Sequence, residues 1–183
     1  MTRWLAAVFL FLTPAALAAD TTWLTSLAGV YKSRHFVKIL TMSPPDDTER
    51  VEDVLEIVKL SSNAAYVRAH LEFDNGHQCN FHQVMKVEGR SLVYREPATI
   101  WVFTGTGKPF RPVKTECVLR LKRDHSRLAF EDKDDVCRTS MCGTRGNLRD
   151  AAFDFKSRRA IRYMPRLLAS REYTEAMRNR EAK

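Results

Sequence analysis

Between Ala64 and Phe73 the chain alternates: Val67, Ala69, Leu71 and Phe73 fall on one face, and Tyr66, Arg68, His70 and Glu72 on the other. A period of two is the signature of a strand with one buried face. Asp74-Asn75-Gly76 follows directly, and both Asn and Gly accept the positive φ that a tight hairpin requires. The return strand is expected over residues 77–87. This segment sets the pattern for most of the chain.

Other strands are read on either side of it. Residues 27–32 look like a first strand, with Gly29 allowing close backbone approach. Ser43-Pro44-Pro45-Asp46-Asp47 is a turn or loop, and residues 51–60, with Val54, Leu55, Ile57 and Val58, form the next strand. Glu88-Gly89-Arg90 turns the chain into residues 91–95. Residues 96–112, with Trp101, Phe103 and Phe110, read as a long connection carrying a short strand. Residues 114–123 place Cys117, Leu119 and Leu121 on one side, and Asp124-His125-Ser126 turns into residues 127–132. The expected fold class is therefore mainly β: a small antiparallel β-barrel or sandwich of six to eight strands with a C-terminal α-helical tail.

That tail begins near Phe153. Ile161, Met164 and Leu168 recur at helical spacing, Tyr173 pairs with Met177, and Ser170 is a fitting N-cap. Pro165 interrupts a single helix, so two short ones are expected.

The N-terminus does not belong to the fold. Arg3 precedes an apolar run over residues 4–12, Thr13-Pro14 breaks it, and Ala16-Leu17-Ala18 is a peptidase site. The run is shorter than the roughly 20 residues a spanning helix needs, which makes it a cleaved signal peptide. No later stretch is apolar enough to cross a membrane as a helix. The organisation read from the sequence is thus 1–18 signal peptide, 19–152 disulfide-stapled β domain and 153–183 basic helical tail. No Asn-x-Ser/Thr sequon is present, which favours a bacterial route and a periplasmic or secreted location. With 44% hydrophobic and 28% charged residues, the composition excludes both a disordered chain and a membrane bundle.

In an oxidising compartment the four cysteines, Cys79, Cys117, Cys137 and Cys142, are read as two disulfides. Three connectivities exist. The favoured one joins Cys79 to Cys117, two inward-facing strand positions, and Cys137 to Cys142 across a short loop. His77, Cys79 and His82 do not make a metal site, because 77 and 79 share a strand face that 82 does not. His35, His70 and His125 show no partner spacing. Glu131-Asp132-Lys133-Asp134-Asp135 lacks the Gly and terminal Glu of a calcium loop and reads as a solvated turn or a partner for the basic tail.

The net charge of +8 is concentrated. Residues 155–183 hold nine Lys and Arg against three Glu. The run is either a solvated helical face or a contact for something anionic, with Arg158, Arg159, Arg162 and Arg166 as candidate binding residues. Nucleic acid is not an expected partner for an exported chain without an aromatic stacking platform in its basic segment. Gly143-Thr144-Arg145-Gly146 follows the last cysteine and presents Arg145 on a tight excursion. The guanidinium either pairs with a carboxylate of the 131–135 run or forms a fixed tip for an anion.

Cys137-Arg138-Thr139-Ser140-Met141-Cys142-Gly143-Thr144-Arg145-Gly146, with Tyr66-Val67-Arg68, Asn75-Gly76-His77 and Ile161-Arg162-Tyr163-Met164, resembles a family of uncharacterised secreted proteobacterial proteins. The cysteine–arginine–glycine loop is also loosely similar to lysozyme-inhibitor-like proteins, small secreted binders of cell-wall hydrolases. The resemblance brings no activity with it; the export signal, the Arg145 loop and the localised basic tail point to a periplasmic, non-catalytic binding protein: an inhibitor, immunity or envelope-interaction module acting through Arg145 and the basic tail. Its partner would be an envelope protein or an anionic envelope component. The alternative is a lipocalin-like barrel holding a small ligand, with Trp101, Phe103 and Phe110 covering an apolar mouth. A hydrolase is the third reading. No Ser-His-Asp order in a recognisable context, zinc spacing or phosphate-cradling loop is visible, and no cofactor or metal is implied.

Overall fold

In the computed structural model, which describes residues 22–40, 47–103, 105, 110–143, 145–149 and 151–181, eight strands join in chain order into one antiparallel sheet. The segment expected to be a signal peptide, residues 1–18, and the first four residues of the expected Ser43–Asp47 turn lie outside the described residues. The strands are β1 (Gly29–Ile39), β2 (Asp47–Lys59), β3 (Ala64–Phe73), β4 (His77–Glu88), β5 (Ser91–Val102), β6 (Arg111–Asp124), β7 (Arg127–Asp132) and β8 (Ala152–Asp154). The sheet curls into a nearly closed barrel. Val30 and Arg159 exchange both backbone hydrogen bonds, each at 2.9 Å, and so link the first strand to the segment after the last. Gly29 sits at φ +152°, and a Cβ there would lie 2.7 Å from the Arg159 carbonyl oxygen. The close approach expected of Gly29 is what permits this closure.

Three of the expected turns form where the sequence placed them. Asn75 and Gly76 take φ of 59° and 67°, Gly89 takes 60° and His125 takes 46°. The expected long connection over 96–112 is mostly strand: β5 runs on to Val102, which pairs with Arg111. Pro97 and Pro112 each sit where their strand has a single neighbour. β4 pairs with β5 only up to Val93, and β7 pairs with β6 only from Leu119. A missing N–H costs little at such an unpaired edge.

Inward-facing positions fill the barrel. Tyr31, Leu55, Ile57, Leu71, Met85, Leu119 and Phe153 are fully buried, and Phe81 packs edge-on against Tyr94 and Phe130 at 5.8 and 6.0 Å. A short helix over residues 22–27, α1, packs Leu24 and Leu27 into the same core. The Tyr31 hydroxyl donates to the Leu27 carbonyl at 2.7 Å, and burial pushes its phenol up to about 12.

Three further α-helices follow among the described residues: α2 (Val136–Met141), α3 (Met164–Leu168) and α4 (Arg171–Glu181). The disulfides join Cys79 to Cys142 and Cys117 to Cys137, not Cys79 to Cys117 and Cys137 to Cys142. The physical reason is α2. Positions five apart on a helix are separated by about 7.5 Å of rise and face different directions, which is too far for a bridge. Strand order adds to this, because β5 lies between β4 and β6. The helix therefore offers Cys137 to one strand and Cys142 to another, each with a Cα–Cα distance of 4.7 Å. Such bridges persist in oxidising compartments.

The tail packs on the outside of the barrel. Ile161, Leu167 and Ala176 bury against Val30, Val58 and Tyr66, and Tyr173 meets Tyr66 edge-on at 5.0 Å. Pro165 occupies the first turn of α3, where its missing N–H is harmless, and the Ser170 Oγ accepts the Tyr173 N–H at 3.2 Å to open α4. The two expected short helices are present. Leu168, however, is 40% exposed, and Leu167 carries the buried contact, because α3 starts only at Met164. Beneath the tail, Glu56 is 1% exposed and is held by the Arg68 guanidinium and the Tyr163 hydroxyl.

Candidate functional site

The β2–β3 ladder ends at Val54 and His70. Beyond that pair, Asp53 is largely buried in the barrel mouth, and its Oδ1 accepts the Glu72 backbone N–H at 2.9 Å. His35, on the inner face of β1, donates Nε2–H to the Glu72 carbonyl at 3.2 Å and places Nδ1 3.7 Å from Asp53. Side chains thus replace the missing backbone ladder. The β3–β4 turn completes the arrangement: Asp74 accepts the Lys38 N–H and Asn75 the Leu40 N–H, both at 2.7 Å. The distal part of the β1–β2 hairpin is thereby fixed over the barrel rim.

A cleft of about 700 Å³ opens between this hairpin, the β3–β4 turn and the segment after α2. Phe36, Val37, Leu40 and Phe73 supply its apolar surface, and Asp53, Glu72 and Asp74 its acidic one. Arg145 faces them. Its Nη1 lies 2.8 Å from His77 Nε2. A guanidinium has no acceptor, so the imidazole nitrogen must be the unprotonated one, with the ring proton on Nδ1. Among the described residues this occupies one of the five guanidinium N–H groups, and Arg145 is otherwise exposed.

The segment bearing Arg145 is pinned on both sides. Cys142 is bonded to Cys79, and a Cβ at the buried Gly146 would fall 2.6 Å from the Cys142 Cβ. Leu148 is fully buried in the core, and Arg149 pairs with Asp135 at 2.9 Å. Arg145 therefore does not pair with the 131–135 run. That run is used elsewhere: Glu131 pairs with Lys122 at 3.0 Å, and Asp132 accepts the Cys137 and Arg138 N–H groups at the start of α2. It does not meet the basic tail through any described hydrogen bond or ion pair.

The tail arginines lie away from Arg145. Arg158 donates to the Ala28 carbonyl at 2.9 Å, and Arg159 donates to its own turn. Ala28 precedes β1, whereas His35 is at the cleft six residues beyond Gly29, roughly 20 Å along the strand. Arg166 lies over the Tyr163 ring at 5.4 Å, in a separate cleft of about 650 Å³ with Glu56 and Arg68. Arg162 is exposed. The five candidate arginines do not form one surface. Nor do Trp101, Phe103 and Phe110 cover a barrel mouth, because they stand exposed at the tip of the β5–β6 hairpin.

Two histidines acquire partners that spacing did not reveal. His35 meets Asp53, and His70 bonds Asn80 at 2.6 Å and Glu72 at 2.7 Å. Ser33 and Asp53 are cross-strand partners, so Ser33, His35 and Asp53 line one cleft. They are not assembled as a nucleophile relay, since the Nε2 that would take a serine proton is directed to the Glu72 carbonyl. Among the described residues no group of three or more His, Cys, Asp or Glu side chains is arranged to hold a metal ion. No helix among them is long and apolar enough to cross a membrane.

Burial alone would lower the His70 pKa, but the bonds to Asn80 and Glu72 outweigh it and raise the pKa above the ordinary imidazole value. Burial pushes the Asp53 carboxyl up, against the opposing Glu72 amide and His35. In both cases the folded protein binds the proton more tightly than the unfolded chain. Stability from His70 is complete below about pH 6.5 and is lost as pH rises through its raised folded value. Asp53 acts in the same direction above about pH 3.9. The thermal midpoint is expected to fall between pH 6 and 8, and His70→Asn to flatten that fall. Parallel melting curves for the two proteins across this range would refute the assignment.

No family model, curated protein or solved structure matches the chain.

Proposed function

We propose that the chain is an exported, non-catalytic binding protein of the bacterial periplasm, an inhibitor, immunity or envelope-interaction module. It receives a carboxylate or phosphate group of an envelope partner on Arg145. The observation that carries this reading is the geometry of the guanidinium. It faces a cleft of about 700 Å³, is anchored by the Cys79–Cys142 bridge and Leu148, and spends one N–H on His77. A pre-positioned planar fork loses little freedom when it grips a bidentate anion, which is the general advantage of preorganisation. The apolar surface of Phe36 and Leu40, 70% and 65% exposed, supplies contact area beside it. The disulfides and the leader support the location, and the engaged His35 ring supports binding over catalysis.

The tail contributes by covering the barrel, and Arg145 rather than the tail is the recognition element. The test places a photo-crosslinking residue at Phe36, at the cleft rim, in cells that export the protein. Captured partners are then compared with those of Arg145→Ala. Loss of a charge-assisted hydrogen bond of about 1.5–3 kcal/mol predicts affinity weakened roughly 10- to 100-fold at an unchanged melting temperature. Binding that is saturable but indifferent to Arg145→Ala and to salt would defeat the proposal.

A further inference from the structure

The β5–β6 hairpin outruns the barrel. Past Val93 on one side and Leu119 on the other, its strands pair only with each other, up to Val102 and Arg111. Cross-strand partners in such a ladder share a face. Toward the tip, one face carries Thr99 with Lys114 and then Trp101 with Pro112, and the Phe103 and Phe110 rings meet beyond them at a tilt, with centroids 5.6 Å apart. Trp101, Phe103 and Phe110 are 64%, 63% and 60% exposed. The opposite face holds Ala98 and Ile100, which pack against the core and fix which way the aromatics point.

Charge identifies what covers them. From residue 97 to 115 the sequence contains Lys108, Arg111 and Lys114 and no Asp or Glu. Aromatic side chains at a tip, with Arg111 and Lys114 on the strand behind them, are the arrangement that suits a bilayer interface. The rings enter the acyl boundary, while Lys and Arg extend to anionic headgroups. An apolar protein groove would accept the rings but would gain nothing from a purely cationic surround.

We infer that this hairpin docks the protein on an anionic lipid surface, independently of the Arg145 cleft. Flotation with phosphatidylcholine vesicles, with and without 30% phosphatidylglycerol, tests it on the exported chain with residues 1–18 removed. The wild type is expected to float with the anionic vesicles and much less with the neutral ones, and to be released by salt. Each of Arg111→Glu and Lys114→Glu should weaken partitioning by about fivefold or more. Combined Trp101→Ser, Phe103→Ser and Phe110→Ser should abolish it at an unchanged circular dichroism spectrum. Should that variant misfold, Trp101 reports directly: as the sole tryptophan of the exported chain in a Trp23→Phe background, its emission shifts to the blue on anionic vesicles. Absence of wild-type flotation at 1 mM lipid overturns the inference, as does equal flotation of the variants or equal binding to neutral vesicles. A concentration-dependent dimer lost in the triple-serine variant, with no flotation, would assign the surface to a second copy of the chain and overturn it equally.

Discussion

Glu56→Ala is expected to lower the unfolding free energy by about 3–5 kcal/mol, because it leaves the Arg68 charge partly buried without its partner. The carboxylate is almost wholly enclosed between β2, β3 and the tail, and it holds the Arg68 guanidinium through two bonds, with Nη2 to Oε1 at 2.9 Å. Tyr163 donates to the same oxygen, and burial together with that bond pushes its phenol up to about 12, so it remains a donor throughout the physiological range. Tyr163→Phe should cost only about 1 kcal/mol, the net value of one hydrogen bond. Exchanging Glu56 and Arg68 together for leucines should restore much of the loss, since a packed apolar pair needs no desolvation. Urea denaturation of the three variants measures the series. A Glu56→Ala loss under 1 kcal/mol would mean that water already reaches the pair.

Removing the Cys79–Cys142 bridge by a double alanine substitution is the second large effect. Chain-entropy arithmetic for a separation of 63 residues gives about 4 kcal/mol, against about 3 for the 20-residue Cys117–Cys137 link. At this chain length the first figure corresponds to roughly 8–16 °C in melting temperature. The functional consequence is separable from stability. With Cys142 released, the Arg145 segment keeps Leu148 and Arg149–Asp135 on one side but loses its anchor on the other. Binding at the cleft should therefore weaken further than the melting temperature alone predicts. Non-reducing peptide mapping is the direct control, and a peptide linking Cys137 to Cys142 would refute the pairing.

Much of the barrel was legible because a strand with one buried face writes its period into adjacent residues. Residues 64–73, the Asp74-Asn75-Gly76 turn and Gly89 needed no tertiary information. The extent of β5, read as a long connection over 96–112, was not legible; Pro97 and Pro112 are tolerated in these strands because β4 and β7 stop short. β1 was expected to end at residue 32 yet runs to Ile39, so Ser33 and His35 were never placed on an inner face. With that, the meeting of His35, Asp53 and Glu72 was invisible, because it depends on where one ladder stops. Arg145 was recognised from its glycines, whereas its partner His77 is 68 residues away.

The sequence by itself determined the class of fold, the turns at Asn75-Gly76, Gly89 and His125, and the division of the tail into two helices, all properties of neighbours along the chain. Only the tertiary structure decided the disulfide partners, the cleft and the burial of Glu56. Each depends on groups far apart in sequence becoming close at once: α2 turns its two cysteines toward different strands, and the tail covers a carboxylate more than a hundred residues before it. Local periodicity records which side of an element is apolar, but not which other element will come to cover it.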